Sequence, residues 1–424
     1  MKIAIIGTGI AGLGAGFLLH RDHEITIYEQ AREIGGHSRT RLVPTCDGDI
    51  PVDTGFIVYN RRNYPHLTAM FEHLNVPTAP SNMSFGVTVN LGRDDGWLEY
   101  SARHLFAQPR NLVRPDFYRM LRDILQFGHK AKTFVARNPE ANMADCQQAL
   151  GLGDWFVRYY LLAMAGAIWS SPAEHILQFP ARTLITFFDN HGLLDIRRRP
   201  AWYTVRGGSR EYVSRLCKPF AKQIRYGCAA RQIIPRSHGV QVRDGIGDDR
   251  MFDQVILACH SDQAAALLPE TLAAREVLCA IPYQKNRAVL HGDLRVMPKR
   301  KKAWASWVYR HDECHNVLSE QSAALTMSYW MNNLQPLATH QDIFVTLNPA
   351  HDPETIYDDH VFYHPLFDNA AIRAQAKLPS LQGRDRLWFC GAWTGYGFHE
   401  DGLKSAVSVA QHLGSPPPWR TAPS

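Results

Sequence analysis

The sequence predicts an α/β fold in which a Rossmann-like dinucleotide-binding domain is interleaved with an α+β domain. Three observations lead to this prediction: a complete βαβ unit at the N-terminus, β-like runs that return to it after residue 205, and two long insertions of different character. The chain has 424 residues, 45% of them hydrophobic. Because a single core stops growing at roughly 250 to 300 residues, a chain of this length is expected to form two domains.

The N-terminal unit begins with a short apolar strand, a glycine-rich turn, GTGIAG, and a helix rich in alanine and leucine. A second strand then ends at Glu29. In this arrangement Gly7 permits the tight turn, Gly9 lets the backbone approach a pyrophosphate, Gly12 allows close packing, and Glu29 accepts hydrogen bonds from ribose hydroxyls. A purely structural glycine turn is the alternative, but the strand, helix and acid at these spacings favour a dinucleotide site.

A second glycine pair follows the acid, in the segment EIGGHSRT at residues 33–40, and indicates FAD. Two adjacent glycines let the chain pass close to the pyrophosphate and ribityl chain, and a basic residue beyond them offers charge to the phosphates. The segment VDTGFIVYN then brings Gly55 out of a β-like run, as is needed where backbone approaches a flat ring. No second nucleotide-binding βαβ unit is found, so one dinucleotide is expected.

Later β-like runs are predicted to join the nucleotide-binding domain, with Ala230 near the adenine and Ala258 at the end of a strand that faces the cofactor. The predicted limits are 1–75, 205–277 and 381–414 for this domain, 76–204 and 278–380 for the substrate domain, and 415–424 for a disordered tail. The first insertion is predicted to be mostly helical, and its segment RNLVRPDFYRMLRDILQFGHKAKTFV sets apolar residues at helical spacing opposite a cationic face. The second is predicted to be richer in β-structure.

The C-terminal segment GYGFHEDGLKSA, residues 395–406, is predicted to be the flavin-facing start of a helix. Nearby glycines, Gly391 among them, keep the backbone close to a ring system. The amides near Gly402 and Leu403 are expected to point at that ring, where a helix N-terminus stabilises the negative charge of reduced flavin. Glu400 and Asp401 are expected to serve the helix start rather than catalysis.

Composition excludes some classes of function. The net charge of +6 is too small to indicate nucleic-acid binding, and eight scattered cysteines without metal-ligand spacing indicate a reducing, cytoplasmic compartment and no metal site. The sequence contains no uninterrupted apolar run of about 18 residues, so no membrane span is predicted. Two basic stretches, 197–199 and 299–302, lie beside aromatic residues. A solvated face is the default interpretation, and docking on an anionic membrane, at its inner face, is the alternative.

Several segments together carry a family resemblance: GTGIAGLGAG, IGGHSRT, VDTGFIVYN, WYTVRGGSREYV, LACHSDQA, SYWMNNLQ and GAWTGYGFHEDGLKSA. They resemble FAD-dependent oxidoreductases of the flavin amine oxidase superfamily and, more narrowly, the flavoprotein domain associated with cyclopropane fatty acid synthases. The resemblance spans nearly the whole chain. It implies a FAD domain interleaved with a substrate domain, as in amine oxidases and phytoene desaturases. No cysteine occupies the segment where covalent amine oxidases attach flavin, so noncovalent FAD is expected.

The motif match also implies a set of cofactor contacts. Arg39 would supply the positive charge that His37 does not, since the superfamily has arginine at the latter position. The predicted FAD-binding residues are Gly7, Gly9, Ile10, Ala11, Gly12, Glu29, Gln30, Gly36, His37, Arg39, Thr54, Gly55, Phe56, Ala230, Ala258, Gly391, Trp393, Phe398, His399, Gly402 and Leu403.

The leading functional hypothesis is a dehydrogenase or desaturase of fatty acyl chains that passes hydride to flavin N5, because the resemblance extends to proteins of lipid modification. His399, Phe398, Tyr59 and Tyr329 are the candidate catalytic residues, and for His399 a hydrogen bond to flavin or backbone is favoured over a role as general base. Two alternatives stay open: an amine oxidase that releases hydrogen peroxide, and a flavin-bound accessory protein of a lipid methyltransferase.

Overall fold

The computed structural model describes residues 1–92, 96–169, 173–194, 200–312 and 326–421. Its strands are β1 (Lys2–Ile6), β2 (Glu24–Tyr28), β3 (Thr40–Thr45), β4 (Gly48–Asp53), β5 (Tyr59–Asn60), β6 (Thr78–Ser81), β7 (Phe85–Asn90), β8 (Trp97–Ser101), β9 (Trp202–Val205), β10 (Ile224–Arg225), β11 (Ala230–Arg236), β12 (Gly239–Asp244), β13 (Asp249–Phe252), β14 (Gln254–Leu257), β15 (Tyr283–His291), β16 (Trp307–Asp312), β17 (Thr326–Trp330), β18 (Phe344–Leu347), β19 (Ile356–Pro365) and β20 (Leu387–Phe389). Its helices are α1 (Ile10–Leu19), α2 (Pro65–His73), α3 (Pro115–Arg137), α4 (Met143–Leu150), α5 (Asp154–Phe156), α6 (Leu162–Trp169), α7 (Ala173–Gln178), α8 (Ala181–Asn190), α9 (Arg210–Cys217), α10 (Ser261–Leu267), α11 (Ala274–Cys279), α12 (Met331–Leu334), α13 (Asn369–Lys377) and α14 (His399–His412).

A five-stranded parallel sheet with the order β10–β2–β1–β14–β20 organises the nucleotide-binding part. The sequences KIAII and QVIL of its two central strands are almost uninterrupted apolar runs, as expected of strands covered on both faces. Helix α1 packs closely on α14, since a Cβ added at Gly14 would lie 2.8 Å from Cδ1 of Leu403. This parallel sheet with covering helices confirms the predicted α/β class.

A seven-stranded sheet with the order β19–β15–β18–β17–β16–β7–β8 forms the other large layer. Its pairs are antiparallel except for β7 and β16, which run parallel. Helices α3 to α8 build a separate apolar cluster with residues of this sheet, and its largest fully buried rings are Phe117, Phe127, Phe156 and Phe188. The domain limits given above stay a prediction.

Residues 415–421 differ from the disorder predicted for 415–424, and residues 422–424 lie outside the described part of the chain. Trp419 is only 8% exposed and stacks on Phe17 of α1 with ring centroids 6.0 Å apart. Ser415 donates a hydrogen bond of 2.7 Å to Asp22. A single large ring therefore fixes a segment whose polar, proline-rich composition predicted disorder.

Within the described residues, none of the helices combines the length and the apolar character that crossing a membrane requires.

Candidate active site

A cavity of about 2700 Å³ is lined by residues of both large sheets. Its lining reaches the surface near Tyr226, which follows β10, and near Leu125 on α3, residues that are 48% and 53% exposed. Ligand pockets commonly measure about 300 to 1,000 Å³, so this cavity has room for more than one small molecule.

The carboxyl ends of β1 and β2 form one wall of the cavity. Gly9 precedes α1, so the first amides of that helix face the space in which a phosphate would be stabilised. The Glu29 carboxylate accepts hydrogen bonds from the backbone N–H groups of Thr8, at 3.0 Å, and Ala31, at 2.8 Å. The acid is thereby fixed at the strand end, where it can also accept from a ribose.

Gly36 and Gly55 allow the glycine-pair segment to lie close to two other stretches of backbone, at Gly9 and at Gly55 itself. Gly36 has φ +57°, and a Cβ there would lie 3.2 Å from Cα of Gly9. A Cβ at Gly55 would lie 2.2 Å from the carbonyl oxygen of His37. Side chains at these positions would collide with the glycine-rich turn or with the backbone at His37, so the close backbone packing that is present fits a bound dinucleotide.

Arg39 lines the cavity, but its charge is already compensated. Its guanidinium makes two hydrogen bonds to the carboxylate of Asp358 on β19, one of 2.9 Å, and a third of 3.2 Å to the Thr54 hydroxyl. Arg41 lies 3.4 Å from the same carboxylate. Arg39 was expected to offer its positive charge to the phosphates, but it forms an ion pair with Asp358, which lies 319 positions later in the sequence.

His37 belongs to a cluster of rings between the two sheets. Its ring centroid lies 4.8 Å from that of Phe362, 5.5 Å from His364 and 6.1 Å from His260. Burial is the main cause that holds the pKa of His37 well below its usual value, and it lowers the pKa of His364 to about 4. These imidazoles are consequently neutral near pH 7.

His399 is held by hydroxyl groups rather than by backbone. Its Nε2 lies 2.9 Å from Oγ of Ser38 and 3.1 Å from the hydroxyl of Tyr212, and its ring stacks on Phe56. Burial lowers its pKa to about 3. Sequence reasoning missed both hydroxyl partners, although Ser38 lies two residues after the glycine pair; Tyr212 lies 187 positions before His399, and no local pattern connects the two residues.

The start of α14 lies at the cavity wall, with Phe398 stacked on Phe187 at 4.9 Å. Asp401 accepts hydrogen bonds from the backbone N–H groups of Tyr396 and Phe398, which is the predicted role at the helix start. Burial raises its pKa to about 6.

Glu400 serves a different helix from the one predicted. It accepts hydrogen bonds of 2.9 Å from the N–H groups of His66 and Leu67, in the first turn of α2. The amide of Gly402 donates to the carbonyl of Phe398 within α14. Neither Gly402 nor the fully buried Leu403 lines the cavity.

Most of the predicted residues come together at the cavity. Those that line it are Gly7, Gly9, Ile10, Ala11, Glu29, Gln30, Gly36, His37, Arg39, Thr54, Gly55, Phe56, Ala230, Ala258, Tyr329, Gly391, Trp393, Phe398 and His399. Gly12 instead packs against Gly7 and Ala258, and Tyr59 is buried beside Phe71, with ring centroids 5.2 Å apart. Tyr59 is therefore not placed to act in this cavity.

The part of the cavity nearest α3, called the apolar half below, is lined mainly by apolar side chains, and its charged lining residues Lys132 and Asp189 pair with each other. Phe85, Trp307 and Tyr329 lie directly opposite one another on three adjacent strands and line it together. Further apolar lining residues are Met83, Leu121, Ile124, Phe127, Met164, Phe187 and Leu347. The Tyr329 side chain is 8% exposed, and no described residue forms a hydrogen bond with its hydroxyl. Burial raises its pKa, so the hydroxyl stays protonated and can donate to a ligand.

Comparisons with known proteins agree with this geometry. A family model described as flavin containing amine oxidoreductase matches residues 10–292, more than half of the chain. Cyclohexylamine oxidase from Brevibacterium oxydans IH-35A has a TM-score of 0.67 at 15% identity, with 97% of this chain and 99% of that chain covered.

Two further solved structures have the same fold. A fatty acid isomerase from P. acnes, described as CLA-producing, has a TM-score of 0.64 at 15% identity, covering 97% of this chain and 98% of that chain. Wild-type putrescine oxidase bound to putrescine has a TM-score of 0.63 at 12% identity, covering 97% and 99%. No curated protein matches the chain significantly. The cradle of Gly9, Gly36 and Glu29 fits FAD, and the chain belongs to the family of flavin-containing amine oxidoreductases, enzymes that use this cofactor.

Proposed function

We propose that the protein is a dehydrogenase or desaturase of fatty acyl chains that binds FAD noncovalently. The observation that carries the proposal is the apolar half of the cavity, which continues from the predicted flavin-facing wall at Phe398 to the surface at Leu125. An extended hydrocarbon chain would bury its whole length there at roughly 25 cal/mol per Å² of apolar surface. The fold shared with a fatty acid isomerase also supports this proposal.

Charge argues against a small cationic amine. Among the described lining residues the acids are Glu29, Glu33 and Asp189. Glu29 belongs to the dinucleotide end, and Asp189 pairs with Lys132 at 2.7 Å near the surface. An ammonium group would thus have no free carboxylate partner in the apolar half, and an unpaired buried charge is costly, so an amine would have to enter as the neutral base. Amine oxidation is the second candidate because the shared fold includes two amine oxidases.

Bound FAD would supply the acceptor for one hydrogen, taken with two electrons as a hydride. The second hydrogen would leave as a proton, which the imidazole of His191, a lining residue whose ring lies 5.9 Å from that of Phe398, could accept. The residues of the chain would orient the reactants: Phe398 and Phe187 would wall the acyl chain, and the neutral His399 would hold the Phe56 segment in place. The protonated Tyr329 hydroxyl would donate a hydrogen bond to an oxygen of the substrate. Two further parts of the proposal, a modified acyl chain as substrate and an association with a lipid methyltransferase, rest on the sequence resemblance alone. The cytoplasmic location that we propose rests on the scattered cysteines.

The test uses the purified protein loaded with FAD, incubated without oxygen with long-chain acyl substrates or with mono- and diamines. We expect the visible absorbance of oxidised flavin to bleach with an acyl substrate, whose product has lost two hydrogens by mass spectrometry. Bleaching by a simple amine, with none by acyl substrates, would show amine oxidation instead. A protein that binds FAD and is bleached by neither class would support the accessory role and overturn the proposal.

A further inference from the structure

An exposed apolar patch lies beside the end of the cavity at α3. We call it the α3 patch: Phe106, Leu112, Val113, Tyr118 and Leu125, which are 42%, 54%, 78%, 46% and 53% exposed. All five fall within 20 consecutive residues, whereas the other exposed large hydrophobic residues of the described chain are scattered along it. Single exposed hydrophobic residues need no explanation, but a contiguous group indicates an interaction surface.

Contacts show that the α3 patch is continuous. The ring of Phe106 lies 6.0 Å from that of Tyr118, whose hydroxyl donates a 3.0 Å hydrogen bond to the Leu112 carbonyl. Tyr118 and Leu125 are seven residues apart on α3 and therefore share one helix face. Leu125 also lines the cavity, as does Leu121 one turn earlier. The patch thus extends to the cavity rim.

The surroundings of the patch are strongly cationic. Residues 103–137 contain eight Lys and Arg residues and two acids, Asp116 and Asp123. The excess of six positive charges in this segment equals the net charge of the whole chain. Asp123 and Arg114 are both buried and contribute little to the surface, which leaves seven cations and one acid there. Exposed apolar side chains within a cationic field suit the interface of an anionic bilayer.

The basic stretch at residues 299–302 is partly engaged with other side chains of the protein. Lys299 lies over the ring of Trp97 at 4.6 Å, and Arg300 pairs with the buried Glu99 at 3.1 Å, so this stretch is partly used inside the protein. Residues 197–199 lie outside the part of the chain that the structure describes. We infer that the α3 patch docks on an anionic lipid bilayer, so that the nearby cavity rim faces the lipid. The docking does not depend on which substrate is oxidised.

Vesicle binding by the FAD-loaded protein tests the inference without any turnover. Vesicles of phosphatidylcholine alone are compared with vesicles that also contain phosphatidylglycerol, and bound protein is separated by sedimentation. We expect binding to the anionic vesicles, and a double variant, Leu112→Glu with Val113→Glu, to bind roughly tenfold or more weakly. Both side chains are exposed, so thermal unfolding of this variant should be unchanged.

Ile246→Glu with Met251→Glu is the matched control, because these residues are 69% and 49% exposed on the hairpin of β12 and β13 and the pair also adds two carboxylates. Like the double variant it adds negative charge, yet it should bind anionic vesicles as the wild type does. If the wild type and the double variant bind the vesicles equally, binding does not depend on the α3 patch and is general electrostatic adsorption, which would overturn the inference. Failure of the wild type to bind vesicles would also overturn it, and an acidic protein would then be the partner to seek.

Discussion

The rings of Phe56 and His399 stack with centroids 3.8 Å apart and planes inclined by 13°. These residues are separated by most of the chain, and their contact joins the VDTGF segment to the first turn of α14. Because Ser38 and Tyr212 hold Nε2 of His399 from the other side, the imidazole is clamped between two segments that line the cavity. The contact therefore fixes the geometry of the wall.

The first prediction concerns the pH dependence of turnover. Since the pKa of His399 is lowered to about 3, its protonation cannot produce a rate transition between about pH 5.5 and 8. The variant His399→Gln should keep the shape of the wild-type kcat/KM profile over that range, even where its rate is lower. Loss of an acidic limb in the variant alone would identify His399 as a general base.

The second prediction concerns the cradle at the glycine pair. Gly36→Ala should weaken FAD binding by roughly tenfold or more, because the new methyl group would press on Gly9 and the residue must keep φ +57°. Gly151 has nearly the same φ, +59°, with no atom within 4 Å of an added Cβ, so Gly151→Ala is the matched control for backbone strain. Fluorescence titration with FAD measures both. Equal losses in the two variants would refute the close-approach argument.

The third prediction concerns the acid at the end of β2. Glu29→Ala removes the acceptor for the N–H groups of Thr8 and Ala31, and should reduce FAD affinity by about 1 to 3 kcal/mol. Glu33→Ala removes a carboxylate that is 68% exposed and should change the affinity little. Calorimetric titration of both apoproteins with FAD checks this. The assignment fails if the two variants bind equally well.

The fourth prediction concerns stability. Asp53 is 1% exposed and accepts hydrogen bonds from the Ser209 amide, at 2.8 Å, and from the Gln335 amide group, also at 2.8 Å. Asp53→Asn would turn an N–H donor toward these donors and should lower the free energy of unfolding by about 2 to 4 kcal/mol. Asp49→Asn, on the exposed part of the same strand, should have almost no effect. Urea unfolding distinguishes them.

The fifth prediction concerns acid stability. His291 is fully buried, and burial lowers its pKa to about 4, whereas in the unfolded chain it is near 6.5. Between these values only the unfolded state binds the proton, so the free energy of unfolding falls as pH decreases, by up to about 1.4 kcal/mol per pH unit from this residue. His291→Gln should show a shallower decrease between pH 6.5 and 4. Parallel curves would contradict the burial argument.

Local sequence patterns were sufficient for the dinucleotide-binding unit. The GTGIAG turn, Glu29 and the glycine pair are each defined by neighbours a few residues away, and the structure places all three at the cavity. Helix α3 was also predictable, because its buried residues recur at helical spacing.

Contacts between distant positions were not predictable from these patterns. Arg39 was predicted to be a free cation because Asp358, its partner, is remote in sequence. Glu400 was predicted to serve the start of its own helix, whereas it caps α2, 334 residues earlier. Tyr59 resembled a cavity residue because it follows VDTGF, but strand alternation and the rings beside it turn its side chain into the core.

The last helix also ties the wall of the cavity to the nucleotide-binding unit. Strand β20 completes the parallel sheet, Leu403 of α14 packs against Gly14, and Glu400 caps α2. The glycine-rich turn and the wall at Phe398 therefore belong to one packed unit, although they are remote in sequence. A protease cut before residue 399 should consequently release bound FAD as well as remove the helix.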